Sequence, residues 1–297
     1  MAVSRYAAAG GADYSHRLHA GNVGDVWKHC VLVAALRAVS ADAGHITYVD
    51  THAGEGRYAL HPTGEWTEGI GRLWRDAPAG EGVLANYLEL CRRLGSGNER
   101  PVAYPGSPAF ARAVLGERAE LALWERDAHA AERLAAVVGA EARTRVTTGD
   151  GLAALDGTLA SLSRGPVVVL IDPSWGQKAD WQTVPDALVR ALRTAPRACV
   201  MLWYPVKSLT RPNAMMERLA AAGAEGVAAE LITTPLAHQR HRLNGSGVLL
   251  VHAPAAALDA IAAAAPGIGT RCATISRRPP APSTVKRALV PGSPLNR

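Results

Sequence analysis

The chain has no apolar run long enough to cross a bilayer. Its longest, such as "CVLVAAL" and "PVVVLI", fall well short of the roughly 20 residues a spanning helix needs, so no membrane span is expected. No secretory leader is expected either, since the "AAAGGA" after Arg5 is too short and too glycine-rich to form its apolar core. Cys30, Cys91, Cys199 and Cys272 are scattered, with neither the CxxC spacing of zinc sites nor the density of a disulfide scaffold. A cytoplasmic location is the expectation these absences leave. There is no internal repeat, no coiled-coil pattern, no GxGxxG fingerprint and no helix-turn-helix or zinc module. Monomer is therefore the default, and a separate DNA-reading domain is not expected.

What is present is a chain of 297 residues that is 48% hydrophobic, enough for an extensive core. The net charge of +6 is uneven. Residues 191–297 hold 13 Lys and Arg against 4 Asp and Glu, a surplus of +9, while residues 1–190 come to −3. Clustered arginine suits a polyanion, because it neutralises phosphates and releases their counterions. A solvated basic surface with a basic tail accounts for the same charge, which bears on association and not on fold.

Five short runs read as buried strands: "HITYVD" (45–50), "ELALWE" (120–125), "PVVVLID" (166–172), "ACVMLWY" (198–204) and "GVLLVHA" (247–253). They are β-branched or aromatic and bounded by Gly, Pro or Asp. "TRVTTGD" and "VAAELI" are weaker candidates. Between them lie stretches of helical length, such as "DAHAAERLAAVVG" and "WQTVPDALVRALRTA". The alternation implies an α/β fold with a mostly parallel sheet covered on both faces, and ligands at the carboxyl ends of its strands. From Leu60 to Tyr104 no strand is expected, and "EGVLANYLELCRRLG" sets Leu84, Tyr87, Leu88, Cys91 and Leu94 on one helical face. This segment reads as a helical insertion. Residues 1–12 and the Pro-rich, basic residues 279–297 read as disordered.

The strand ends carry the candidate chemistry. After the first, Asp50 leads into "THAGEG", where Gly54 and Gly56 permit a tight turn and close ligand approach; a plain structural turn uses the same glycines. Glu125 ends the second and is placed to accept two ribose hydroxyls or to cap the next helix. Asp150-Gly151 ends the third, suited to an adenine amino group with the ring against the glycine, or again to a turn. Together the three describe an adenosyl pocket. At the fourth, Asp172-Pro173 offers a carboxylate and a carbonyl that would accept the two hydrogens of an exocyclic amine and free its lone pair for attack. Trp175 is either a stacking surface for the base or core.

At this point the residues resemble a known family: the S-adenosylmethionine-dependent methyltransferases acting on adenine N6, with their Asp/Asn-Pro-Pro-aromatic motif. The resemblance is closer to one branch, the bacterial 23S ribosomal RNA adenine-N6 methyltransferases of the J type. It rests on "YSHRLHAGNVGDVWKH" (14–29), "DTHAGEGRY" (50–58), "TGEWTEGI" (63–70), "YPGSP" (104–108) and "LWYPVK" (202–207), and covers about residues 13–276. It implies a Rossmann-like methyltransferase domain over 13–59 and 105–278 with an inserted helical subdomain over 60–104. Lys28, with His29 beside it, would meet the methionine carboxylate of S-adenosylmethionine. His52, Gly54, Ser107, Glu125, Asp150, Gly151 and Asp172 would complete the cofactor site, with Asp172 and Pro173 catalytic and Tyr14 handling substrate. His16, His19 and His29 are assigned to packing or phosphate contact, since methyl transfer from a sulfonium needs no metal.

The family proline is Ser174 here. Proline fixes φ and serine does not, yet the carboxylate and carbonyl assigned to the chemistry are unchanged, so a looser but active loop is expected. The substrate expected is an adenine of 23S ribosomal RNA, naked or partly assembled, with the base flipped or unpaired. The competing readings are N6-adenine methylation of DNA, a catalytically silent RNA-binding protein of the same fold, and a nicotinamide-dependent oxidoreductase.

Overall fold

The run Val167–Ile171 lies in the middle of a sheet with Val168 to Ile171 buried, as expected of a strand covered on both faces. The computed structural model describes residues 18–75, 81–97, 99–139, 143–162, 165–236, 243–273 and 283–289, the last by backbone alone. In chain order the elements are α1 (Val23–Ser40), β1 (Ile46–Asp50), β2 (Arg57–Ala59), α2 (Ile70–Arg75), α3 (Val83–Gly95), β3 (Ala103–Pro105) and α4 (Ser107–Leu115). There follow β4 (Ala119–Glu125), α5 (Ala128–Val138), β5 (Thr144–Thr148), α6 (Gly151–Ala160), β6 (Val167–Ile171), α7 (Asp180–Thr194) and β7 (Cys199–Val206). The chain continues through α8 (Thr210–Ala221), β8 (Gly226–Ile232), β9 (Gly245–Val251), α9 (Ala255–Cys272) and β10 (Ser283–Leu289).

The main sheet has the order β10-β8-β9-β7-β6-β1-β4-β5. Pairing is parallel from β5 through β7 and antiparallel at β7-β9, β9-β8 and β8-β10. This is the mostly parallel α/β sheet expected, with both weaker strand candidates realised as β5 and β8. Helices α1, α4 and α9 cover one face and α6, α7 and α8 the other, each in its own apolar cluster. Because β1 lies between β4 and β6, the connections diverge on either side of it, which opens a crevice at its carboxyl end.

Two expectations are corrected. The insertion is bounded by a two-stranded antiparallel ribbon, β2 with β3, so strand structure does occur within Leu60–Tyr104. Three-residue strands are too short for alternation to show in sequence. Its helix α3 buries Leu84, Tyr87, Leu88 and Cys91 as the spacing requires, but against α1 and α9, within the same apolar cluster as the sheet face. The segment shares the core of the main body. The tail, read as disordered over 279–297, contributes β10, whose register with β8 runs from Ser283↔Ile232 to Leu289↔Gly226. A backbone ladder does not depend on the composition that suggested disorder: β10 satisfies N–H and C=O groups that β8 would otherwise present as an open edge. Residues 1–12 lie outside the described residues. No described helix is long and apolar enough to cross a membrane.

Candidate functional site

The carboxyl ends of β1, β4, β5, β6 and β7 and the start of α1 surround a cleft of about 1580 Å³. The start of α1 is locked before it reaches the cleft. Asn22 caps the helix by accepting from Asp25 N at 3.0 Å, and the Asp25 carboxylate accepts from Gly21 N at 2.9 Å. The segment around Glu65 buttresses this turn: Asn22 Nδ2 donates to Glu65 Oε2 at 3.0 Å, His19 Nδ1 lies 3.1 Å from the same carboxylate, and Ile70 N donates to Gly21 O at 2.9 Å. A Cβ on Gly69 would collide with the Gly21 carbonyl and lie 2.6 Å from Asn22 C. The "HAGN" and "TEGI" stretches are therefore two halves of one turn.

Lys28 lies on α1 and is buried together with Asp25. Its Nζ is 2.8 Å from Asp25 Oδ1 and 2.5 Å from Asp172 Oδ2. Burial opposes its charge, but Asp172 and Asp25 outweigh burial and hold the ammonium protonated well above the ordinary lysine range. The pair ties α1 to the end of β6 and leaves Asp172 only 16% exposed at its side chain.

The loop after β1 turns at Gly54 and Gly56, with φ of 62° and 73°. Its amides face inward. Thr51 N donates to Leu170 O, His52 N to Asp50 Oδ1, Ala53 N to Trp124 O, Gly54 N to Glu125 Oε2 and Glu55 N to Tyr58 Oη, all at 2.8–3.1 Å. A dinucleotide fold aims such amides at a pyrophosphate; here they are committed to protein, which removes the basis of the oxidoreductase reading. Asp50, which the sequence marked only as a strand end, is fully buried under the loop and accepts from Tyr48 Oη at 2.7 Å and Ser107 Oγ at 2.6 Å. Burial pushes its carboxyl up to about 6 against these donors.

His52 lines the cleft with Nδ1 2.8 Å from Thr51 Oγ1. The single hydroxyl proton of Thr51 donates to Leu170 O at 3.2 Å, so His52 Nδ1 carries the shared proton and Nε2 keeps its lone pair. Burial lowers the His52 pKa despite the carboxylates of Asp172, Glu125 and Asp150, and the ring is neutral.

Glu125 and Asp150 stand at the ends of β4 and β5. Glu125 accepts from Gly54 N at 2.8 Å and from Asp127 N at 2.9 Å, so it ties two loops together and each oxygen retains a lone pair. Asp150 caps α6, its Oδ1 accepting from Leu152 N and Ala153 N; Oδ2 is uncommitted among the described residues. Gly151 lines the cleft, and a Cβ there would strike the Thr51 carbonyl and lie 2.5 Å from Trp124 Cβ, so it also permits the close approach of the β1 loop.

After β6 the chain runs Asp172-Pro173-Ser174-Trp175 along the cleft. The Pro173 carbonyl accepts no backbone hydrogen bond among the described residues, and Ser174 is exposed. Of the two readings of Trp175, core is the one observed. Its ring packs 4.3 Å from that of Trp181, its indole N–H donates to Trp203 O at 3.0 Å, and only 8% of the residue is exposed. Its φ of 55°, unusual for a bulky residue, turns the chain so that this burial is possible. The aromatic face along the cleft belongs also to Trp203, 5.7 Å from Lys28 Nζ. Sequence reasoning named its segment "LWYPVK" but assigned it no role.

The structure thus brings Lys28, His52, Gly54, Ser107, Glu125, Asp150, Gly151, Asp172, Pro173 and Trp175 to one cleft. His29 reaches its wall, but its Nδ1 is 2.8 Å from Tyr104 Oη and its ring packs on Phe110 at 4.9 Å, so packing is its observed role. Tyr14 and His16 lie outside the described residues. Asp25, acidic in the first turn of α1, was missed; the signal was its i,i+3 spacing to Lys28. Among the described residues no group of three or more His, Cys, Asp and Glu could hold a metal ion.

The family model described as "Ribosomal RNA large subunit methyltransferase D, RlmJ" matches residues 43–277. The chain is 33% identical over 250 residues to the Ribosomal RNA large subunit methyltransferase J of Escherichia coli K12, covering 81% of this chain and 87% of that protein. It is 30% identical over 247 residues to the protein of the same name from Haemophilus influenzae, with the same coverage of 81% and 87%. The crystal structure of protein LPL1258 from Legionella pneumophila superposes with a TM-score of 0.82 at 25% identity, covering 91% of this chain and 98% of that one. With the family model spanning most of its length, the chain belongs to the RlmJ family of ribosomal RNA large subunit methyltransferases.

Proposed function

We propose that this chain transfers a methyl group from S-adenosylmethionine to N6 of one adenine in 23S ribosomal RNA. The carrying observation is Asp172, fixed by Lys28 at the end of β6, beside a Pro173 carbonyl with no backbone partner among the described residues. The cleft suits this donor on chemical grounds. A sulfonium nucleoside has no phosphate, and the loop has its amides committed elsewhere; the donor is cationic at sulfur, and Asp172, Glu125 and Asp150 line the walls with carboxylates. At about 1580 Å³ the cleft exceeds the 300–1,000 Å³ typical of a single-ligand pocket, leaving room for a base beside the cofactor.

Glu125 and Asp150 would take the ribose hydroxyls and the adenine amino group of the donor. Lys28 would meet its carboxylate, and Nε2 of His52, the ring nitrogen turned away from Thr51, would accept from its ammonium. When bound, the sulfonium supplies a methyl group activated for attack by an amine. Lys28 occupies Asp172 Oδ2, which leaves Oδ1 and the Pro173 carbonyl to accept the two N6 hydrogens. An amine held by two acceptors has its lone pair turned out of the ring, and holding it so is preorganised electrostatic catalysis. Trp203 flanks the flipped base, and the proton shed by N6 has the Asp172 carboxylate as its acceptor. A ribosomal RNA substrate, naked or partly assembled, implies work in the cytoplasm.

The test is incubation with protein-free 23S ribosomal RNA and labelled S-adenosylmethionine, followed by digestion and mass identification of the nucleoside. N6-methyladenosine, absent with Asp172→Ala while RNA affinity holds, is the expected result. Cofactor binding with no transfer would favour a silent RNA-binding protein, and transfer to DNA alone would replace the substrate.

A further inference from the structure

The turn after β6 holds one residue between two anchors. Asp172 is tied to Lys28, and Trp175 is sunk in the core with its indole N–H on Trp203 O. Between them the ring of Pro173 fixes its own φ, and the φ of 55° at Trp175 turns that side chain inward. Ser174 is left facing out: it is exposed and lines the cleft beside Asp172 and Pro173. Its hydroxyl and its N–H have no hydrogen-bond partner among the described residues. The hydroxyl lies on the side of Gly176, where an added Cβ would come 3.5 Å from Ser174 Oγ. Glycine leaves it uncovered there.

An uncommitted hydroxyl at this point has a chemical use. An adenine that places its N6 hydrogens on Asp172 Oδ1 and the Pro173 carbonyl still carries two acceptors beside N6, the ring nitrogens N1 and N7. A base drawn out of its stack and enclosed in a cleft loses the water on these nitrogens, and an acceptor buried without a donor is penalised. Three other donors on this wall do not serve. Lys28 Nζ is held by Asp25 and Asp172, and the Trp175 N–H is given to Trp203 O. The Trp203 N–H has no hydrogen-bond partner but is shut off from solvent inside the wall. Proline, which stands at this position in the motif the turn resembles, has neither a hydroxyl nor an N–H.

Resting on the adenine-N6 reading above, we propose that the Ser174 hydroxyl donates to one of the two ring nitrogens that flank N6 and so helps decide which base is accepted. Asp172 Oδ1, the Pro173 carbonyl and Ser174 Oγ then make three contacts along one edge of the base. A base without an acceptor beside its amine would leave the hydroxyl enclosed and unpaired, which is how a site built on hydrogen bonds rejects an analogue.

The experiment measures kcat/KM for the wild-type chain, Ser174→Ala and Ser174→Thr on 23S ribosomal RNA fragments in which the methylated adenine is natural, 1-deaza-adenosine or 7-deaza-adenosine. Both analogues keep N6, and each deletes one ring nitrogen. The wild-type chain should lose about tenfold on one analogue, equivalent to about 1.4 kcal/mol. Ser174→Ala should lose about as much on the natural RNA and nothing further on that analogue. Ser174→Thr, which retains the hydroxyl, should keep the wild-type pattern, and melting temperature and S-adenosylmethionine affinity should be unchanged in both variants. A loss in Ser174→Ala that is uniform over all three RNAs marks a structural role and overturns the inference alone, as does wild-type kcat/KM for Ser174→Ala on the natural RNA. No methylation of the RNA by the wild-type chain overturns the function proposed above, and this inference with it.

Discussion

Replacing Lys28 by methionine tests the link between the start of α1 and the chemistry at β6. The substitution removes a buried cation held 2.8 Å from Asp25 and 2.5 Å from Asp172. At an effective dielectric of about 20, each contact has a gross Coulomb energy of about 6–7 kcal/mol. Most of it is offset by desolvation, and breaking a buried pair by deleting one partner costs about 3–5 kcal/mol, because the other charge stays buried. For a chain of this size that lowers the melting temperature by about 10 °C. The pH dependence identifies the cause. The Lys28 pKa is raised above its unfolded value, so its contribution is fully present below the unfolded pKa of about 10.5 and is lost only as pH rises through the still higher folded value. The stability deficit of the variant should therefore hold steady from about pH 5 to about pH 9 and shrink only as pH rises above about 10. Thermal unfolding of both chains across that range, with Asp172→Asn and the double variant completing a cycle, gives the answer. A deficit below about 1 kcal/mol, or one that disappears between about pH 5 and about pH 9, refutes the electrostatic account of the site.

Other outcomes follow from packing and titration. Gly151→Ala should destabilise by about 1–3 kcal/mol by overpacking the Thr51 carbonyl and Trp124, whereas Gly157→Ala in the same helix, with open space at its Cβ, should stabilise by about 0.5–1 kcal/mol; chemical denaturation of both checks the opposite signs. The Asp50 carboxyl is raised by burial to about 6, so its contribution is fully present below its unfolded pKa and lost as pH rises through about 6, about 3 kcal/mol in all; Asp50→Asn should flatten the stability profile over that window. Trp175→Ala should cost about 3–5 kcal/mol of stability as a core truncation, whereas Trp203→Ala should raise the KM for RNA more than the dissociation constant for S-adenosylmethionine, measured by calorimetry. Ending the chain at residue 282 should expose the β8 edge and promote aggregation, read by light scattering.

The sequence by itself determined the central strands of the main sheet, the helices between them and the ends at which chemistry is placed. Each depends on local pattern: apolar β-branched runs bounded by Gly, Pro or Asp, and residues that stop a strand with a polar side chain. It also carried the family resemblance through short motifs at fixed spacing. Only the tertiary structure decided what those residues touch. Asp172 and Lys28 are 144 positions apart, and no local rule joins them; their contact arises because α1 packs across the sheet that ends at Asp172. For the same reason Gly151 serves the β1 loop and Trp175 lies in the core, as roles set by neighbours distant in sequence. The loop amides show the limit most plainly. "THAGEG" has the glycines of a phosphate-binding turn, but whether an amide faces a ligand or a protein oxygen depends on partners such as Leu170, Trp124 and Glu125, which arrive from other strands only when the sheet assembles.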